Sequence, residues 1–293
     1  MERRDFLKTA GAAGVVLAAG TPLHNAIAST SKKKYEISLA AWSVHKMFFA
    51  GGITQIQMPD LCKELGITGL ELVNSFFPSP QYDYLKQLKT RAEDNGVKIL
   101  LIMCDGEGPM DHEDKNERMQ AAKNHHKWVD IAAVLGCHSI RCNTGHGKAG
   151  DMEAVKRAAE SFSALVQYGK ASGINIIIEN HGGFSSDPKS LVALMEMVDD
   201  ERFGTLPDFG NFPEETDKYD AIDKMMPYAK AVSAKCYDFN EQGIETRIDF
   251  ERMMKIVMKH NYSGYVGIEY EGSRLSEREG IVACKKLLER WQT

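Results

Sequence analysis

Four segments in the second half of the chain carry an apolar run that stops at an acid. They are Ile176-Ile177-Ile178-Glu179-Asn180-His181, Gly204-Thr205-Leu206-Pro207-Asp208, Val232-Ser233-Ala234-Lys235-Cys236-Tyr237-Asp238 and Val266-Gly267-Ile268-Glu269-Tyr270-Glu271. A carboxylate at the C-terminal end of a buried strand costs several kcal/mol in desolvation unless a metal, a cation or a substrate compensates it. Glu179 and Glu269, on strands expected at opposite sides of one barrel, could remove a proton from one face of a bound sugar and return it to the other. A metal ion bridging them to substrate oxygens would also stabilise an enediolate. The ordinary alternative is a structural ion pair with a neighbouring Lys or Arg.

Asp208 follows Pro207, which marks the end of its strand. It offers a metal or substrate contact, or else an N-cap. Asn211, three residues on, supplies a neutral second contact. If Val232, Ala234 and Cys236 face outward, then Ser233, Lys235 and Tyr237 face the barrel interior. A Lys among three acids replaces a metal's charge, serves as a catalytic acid, or is a buried ion-pair partner. Glu271 shares a face with Glu269 and competes with it for the ligand role. His181 and His146 are loop histidines expected at the mouth as ligands or substrate contacts. Trp42, His45 and Asn143 follow earlier strands and complete the candidate binding residues. His125-His126 reads as mid-helix packing, and Arg141 as a buried ion-pair former.

The elements that must position these residues alternate in one grammar. Strands are expected at Glu36–Trp42, Gly69–Val73, Lys98–Met103, Ser139–Asn143, Asn175–Ile178, Thr205–Asp208, Ala231–Cys236 and Tyr265–Tyr270. Helical patterns lie between them, among them Arg118–Leu135, Met152–Ala171 and Glu277–Trp291. Leu65-Gly66, Asn95-Gly96, Leu135-Gly136, Ser172-Gly173 and Ser263-Gly264 are helix stops ahead of the next strand. Eight repeats at about 30-residue spacing favour a single α/β domain, a closed (β/α)8 TIM barrel over 35–293, rather than an open sheet. No GxGxxG follows the first strand, which argues against a dinucleotide fold. Catalysis in such a barrel belongs at the C-terminal strand ends, where the polar residues concentrate.

The 293 residues carry a net charge of −5, with 43% hydrophobic and 26% charged side chains. That balance argues against a nucleic-acid partner, whose footprint is a basic face. Residues 1–28 read as a targeting segment: Arg3-Arg4-Asp5-Phe6-Leu7-Lys8, a short Ala/Gly-rich apolar stretch, and Ala26-Ile27-Ala28 as cleavage site. The segment resembles a twin-arginine export signal, which implies a periplasmic protein with no membrane association after cleavage. Six scattered cysteines without a CxxC read as buried free thiols.

Taken together, the eight-fold pattern and the acids after strands five, six and eight resemble the xylose-isomerase-like barrel superfamily of sugar isomerases and epimerases. The most specific pieces are Ile178-Glu179-Asn180-His181, Leu206-Pro207-Asp208-Phe209 and Gly267-Ile268-Glu269-Tyr270-Glu271. The resemblance implies a divalent metal held by Glu179, Asp208 and Glu269, the two glutamates doubling as acid and base. Its strand-seven ligand, a His in a His-x-Lys-Asp pattern, aligns with Lys235-Cys236-Tyr237-Asp238 and so puts Lys235 where His is expected. Its Asp-x-x-His reads Asp208-Phe209-Gly210-Asn211. A protonated Lys cannot ligate a metal, so the ion would use three carboxylates with water or His181, or Lys235 takes over its charge. An oxygen-rich site suits Mg²⁺ or Mn²⁺ better than Zn²⁺. The resulting expectation is an isomerase or epimerase on a free or oxidised sugar or polyol. A keto-sugar lyase or dehydratase and a non-catalytic carbohydrate-binding barrel are the alternatives. The partner is a small carbohydrate, and a homo-oligomer is compatible with the chain.

Overall fold

The computed structural model describes residues 33–293, so the segment expected to direct export lies outside the described residues. Eight strands, β1 (Glu36–Ala40), β2 (Gly69–Val73), β3 (Lys98–Cys104), β4 (Ser139–Cys142), β5 (Asn175–Glu179), β6 (Phe203–Leu206), β7 (Val232–Cys236) and β8 (Tyr265–Tyr270), run in the order β6-β5-β4-β3-β2-β1-β8-β7. All seven ladders are parallel. The seam between β6 and β7 closes the barrel through the parallel bridges Thr205↔Ala229 and Asp208↔Ser233. There Ser233 N donates to Pro207 O at 2.9 Å and Phe209 N to Ser233 O at 3.1 Å. Pro207 has no N–H to donate, which is why β6 stops at Leu206 while its chain continues to pair beyond it.

Ten helices lie between and after the strands: α1 (His45–Phe49), α2 (Met58–Glu64), α3 (Tyr82–Asp94), α4 (Lys115–Asn124), α5 (His126–Leu135), α6 (Met152–Ser172), α7 (Pro188–Val198), α8 (Lys218–Met225), α9 (Phe250–Lys259) and α10 (Glu277–Glu289). Asp114, Asp151, Asp187, Asp217 and Asp249 cap α4, α6, α7, α8 and α9 by accepting first-turn amides. Ser276 and Glu279 form a reciprocal capping box on α10. The single helix expected over Arg118–Leu135 is two. At His125 the amide reaches back only to Ala122 O and the buried imidazole contacts Ala121 O at 2.8 Å, tightening the turn without Pro or Gly. Trp42, expected at the end of the first strand, sits in a 3₁₀ turn, Ala41–Val44. Ser43 Oγ there bonds Ile268 O and Tyr270 N, both at 2.9 Å.

Leucine, isoleucine and valine from the strands pack outward on the helices in one core. The barrel interior is unusually polar, with Ser38, Glu71, Arg141, Glu179, Ser233, Lys235 and Glu269 all buried. All six cysteines are free and buried, as expected from their scatter. Among the described residues, no helix is long and apolar enough to cross a membrane.

Candidate active site at the C-terminal strand ends

Glu179 ends β5, Asp208 lies just past β6, and Glu269 is in β8. One carboxylate oxygen from each lies within 4.8 Å of the others, and all three residues are buried. β5 and β8 are three strands apart across the β6–β7 seam. In a ring of eight that is close to the opposite sides expected, and the two glutamates reach inward from their walls to converge on one point.

Asp208 is held most tightly. Its Oδ1 accepts the amides of Gly210 (2.9 Å) and Asn211 (2.8 Å), and its Oδ2 accepts Ser233 Oγ at 2.6 Å. Asn180 brackets the same residue, its side chain exchanging two hydrogen bonds with the Asp208 backbone. Burial nevertheless pushes the Asp208 carboxyl up to about 7, with Lys235 opposing the rise. Glu179 rises to about 7 for the same reason, with Arg141 pulling the other way. Asn211 Nδ2 donates to Glu179 Oε1 at 3.0 Å, and Arg141 Nε stands 3.0 Å from Glu179 Oε2. That last approach is poorly directed, leaving Glu179 Oε2 and Arg141 Nε each without a hydrogen-bond partner.

Lys235 forms the next layer outward. Its Nζ lies 2.9 Å from Glu269 Oε1, 3.1 Å from Glu271 Oε2 and 3.0 Å from Asn211 Oδ1. Burial alone would lower its pKa, but Asp208, Glu269, Glu179 and Glu271 outweigh burial and raise it, so the ammonium stays charged. Gly210 makes this possible, because a Cβ there would come within 2.9 Å of the Lys235 stem. Burial opposes ionisation of Glu271, but Lys235 and the Trp42 indole, which donates to its Oε1, hold its pKa low.

Two residues not singled out from the sequence belong here. Ser233 Oγ lies between Asp208 Oδ2 (2.6 Å) and Glu269 Oε2 (3.3 Å). On β7 Ser233 thus stands beside the carboxylates together with Lys235, whose Nζ reaches Glu269 Oε1 at 2.9 Å. Glu71, in β2, is buried in the barrel and accepts Ser38 Oγ at 2.6 Å. It packs against Gly267, where a Cβ would fall 2.3 Å from Glu71 Oε1, one interior layer beneath Glu269. Burial raises its carboxyl to about 8. A single acid inside Gly69-Leu70-Glu71-Leu72-Val73 was the available signal.

The remaining expected residues divide. Asn143 joins Arg141 in holding Asp105 Oδ1, at 2.8 and 2.7 Å. Arg141 is the buried ion-pair former its position suggested. His146 is exposed, and only its amide is engaged, by Asp111 Oδ1 at 3.1 Å. The His181 amide donates to Ser185 Oγ, while desolvation, Arg141 and Lys235 hold its imidazole pKa down. His45 places Nδ1 2.7 Å from Trp42 O and stacks on the indole. Among the described residues, the candidate metal group contains no histidine.

The donor set suits a hard divalent ion. Three converging carboxylates and a hydroxyl offer only oxygen, and Glu179 Oε2, though ion-paired with Arg141, is a buried acceptor without a hydrogen bond. Lys235 contributes charge but no lone pair.

Residues 59–290 match the family described as Xylose isomerase-like TIM barrel. No curated protein sequence matches the chain. Among solved structures, D-allulose 3-epimerase from Methylomonas sp. superposes with a TM-score of 0.71 at 13% identity, over 88% of this chain and 98% of that one. The 3-keto-D-glucoside 4-epimerase from E. coli superposes with a TM-score of 0.68 at 14% identity, over 88% and 100%. A xylose isomerase-like TIM barrel protein from Mycobacterium smegmatis, in complex with magnesium, gives 0.65 at 17% identity, over 88% and 95%. At these identities the likeness is one of fold. With its family match extending over most of the chain, this protein belongs to the xylose isomerase-like TIM barrel family.

Proposed function

We propose that the protein is a sugar isomerase or epimerase that works by proton abstraction next to a carbonyl, assisted by a divalent cation. The observation that carries this reading is the convergence of Glu179, Asp208 and Glu269 within 4.8 Å, beneath the Lys235 ammonium. Glu179, Asp208 and Glu269 would hold the ion, with Ser233 fixing the last two. When bound, such an ion polarises the substrate carbonyl and stabilises the enediolate oxygens.

The chain's own groups do the rest. Glu179, buried at the end of β5 with Asn211 Nδ2 on its Oε1 at 3.0 Å, is placed to take the proton from the carbon next to the carbonyl. Glu269 takes the complementary step, its Oε1 already oriented by Lys235 at 2.9 Å. Lys235 faces the developing negative charge without giving up its proton, an electrostatic role in a site from which water is largely excluded. Trp42 orients Glu271, and Asn211 links Lys235 to Glu179. The substrate is a free or oxidised sugar, and the N-terminal Arg3-Arg4 segment supports a periplasmic setting for it. Three solved barrels of the same fold act on sugars or hold magnesium, which supports the reading by analogy.

Elimination is the second reading. There the Lys235 ammonium, 3.1 Å from Glu271 Oε2 in the outer layer, would stabilise a departing hydroxyl electrostatically after the same first step, and the proton taken up in that step would leave with it as water. Incubation with a panel of ketoses and keto-sugars, with products separated and identified, tests the choice. An epimer or aldose is expected; an unsaturated product in its place would make the enzyme a lyase, and no product from any sugar would remove the catalytic reading.

A further inference from the structure

Tyr237, the residue just past β7, continues the inward file of Ser233 and Lys235 toward the mouth of the barrel. The chemistry above gives it no task. Its hydroxyl lies at Gly210, where a Cβ would stand 2.6 Å from Tyr237 Oη and 2.9 Å from Lys235 Cγ. The amide of the same glycine donates to Asp208 Oδ1 at 2.9 Å. The phenol therefore sits against the Lys235 stem, at the loop that holds Asp208. Tyr35, Tyr262 and Tyr270 donate their hydroxyls to backbone carbonyls. The half-buried Tyr237 side chain has no hydrogen-bond partner among the described residues, and only its amide is engaged, by Glu245 Oε1 at 3.2 Å.

The ring is held still from several sides. The buried Glu245 carboxylate accepts the amides of Tyr237, Asp238, Arg247 and Ile248, folding the loop after β7 back onto its own start. Arg247, ion-paired with Asp238 Oδ2 at 2.7 Å, lies over the Tyr237 ring at 5.0 Å. Gly272 leaves room for the Tyr237 carbonyl, which a Cβ there would strike. A phenylalanine would fill the same place, so packing does not account for the hydroxyl. Burial pushes the phenol up to about 12, which keeps it a hydrogen-bond donor at neutral pH.

We propose that Tyr237 is a further catalytic residue, its hydroxyl donating a hydrogen bond to the substrate oxygen that becomes negative when the adjacent carbon loses its proton. This rests on the sugar-isomerase reading and adds to it a neutral donor beside the Lys235 ammonium. The phenol keeps its own proton throughout, so the proton removed from carbon stays with the carboxylates. A fixed donor aimed at charge that forms only in the transition state raises kcat and leaves substrate binding nearly unchanged. The anchoring of the loop by Glu245 and Arg247 spares the phenol the cost of being ordered during the reaction.

The test is Tyr237→Phe in the full chain, which removes one oxygen and leaves the ring. Deuterium exchange is followed on a panel of ketoses and keto-sugars, and kinetics are compared on the sugar that the wild type exchanges fastest. The variant is expected to lose about 10²-fold in kcat with KM within about threefold of wild type. Its Mn²⁺ affinity and melting temperature should be unchanged, the latter to about 2 °C, because the hydroxyl supports neither the ion nor the fold. Exchange at the wild-type rate, a rise in KM alone, or a joint loss of rate with Mn²⁺ affinity or melting temperature overturns the proposal. Exchange by the wild type together with any of these results removes the role of Tyr237 and leaves the isomerase reading standing. No exchange by the wild type on any sugar removes that reading, and the role of Tyr237 with it.

Discussion

Lys235 Nζ lies 2.9 Å from Glu269 Oε1, an ion pair in which both side chains are almost completely buried. A permanent positive charge thus touches one member of the carboxylate group that would hold a divalent cation. The two cations share the same negative field and repel each other. Lys235→Met keeps the stem and removes the charge. Mn²⁺ should then bind about tenfold more tightly, while turnover falls by about 10²-fold or more. Metal titration and steady-state rates on the same preparation check both. Weaker Mn²⁺ binding with unchanged turnover would show that Lys235 supports the ion and not the reaction.

Glu179→Gln should lower turnover by about 10²–10⁴-fold, the usual worth of a general base. It should barely change thermal stability, because burial already brings the Glu179 carboxyl up to about 7 and Arg141 keeps its second partner, Asp105. Parallel rate and melting measurements separate the two effects. A variant that loses stability and activity together would mark Glu179 as structural.

Ser233→Ala removes the hydroxyl between Asp208 and Glu269 but leaves the Gly210 and Asn211 amides on Asp208 Oδ1. The expected result is a folded protein with metal affinity reduced about 10- to 100-fold, the scale for groups that orient ligands. Equilibrium dialysis with Mn²⁺ reads this directly, and unchanged affinity would separate Ser233 from the ion.

Much of this arrangement is legible in the chain, and the exceptions have physical causes. Ile176-Ile177-Ile178-Glu179 marks both a buried strand and its functional end, and Pro207 announces where β6 must stop. Ser233 escaped because a serine inside a strand carries no charge and reads as neutral; only its place in space, 2.6 Å from Asp208, gives it meaning. Glu71 has no such marker, because it lies within β2, away from the strand ends, and depends on Gly267 of another strand for its space. The break between α4 and α5 has no Gly or Pro to signal it, since it comes from a tertiary fit around the His125 imidazole. The Trp42–Glu271 contact joins residues 229 positions apart, beyond any local pattern.

Glu71 gives a prediction about stability against pH. Its carboxyl titrates near 4.5 unfolded and near 8 folded, because burial disfavours the charged form. Between those values the folded chain binds more protons than the unfolded one, so this residue's contribution is present at low pH and lost as pH rises through 8. In the presence of chelator, wild-type stability should fall by a few kcal/mol across that interval. Glu71→Gln, which keeps an oxygen for Ser38 Oγ, should flatten the slope and be the more stable protein at about pH 9. Identical pH profiles for the two proteins in thermal melts would contradict this.

The central claim is proton abstraction by buried strand-end carboxylates. Its most direct measurement is deuterium incorporation from D₂O into a panel of ketoses and keto-glycosides, followed by NMR at the carbon next to the carbonyl. The account predicts incorporation at that carbon by the wild-type protein, its loss in Glu179→Gln, and its suppression by chelator with recovery on adding Mn²⁺. Incorporation that persists unchanged in Glu179→Gln, or none at that carbon for any sugar in the panel, would contradict it.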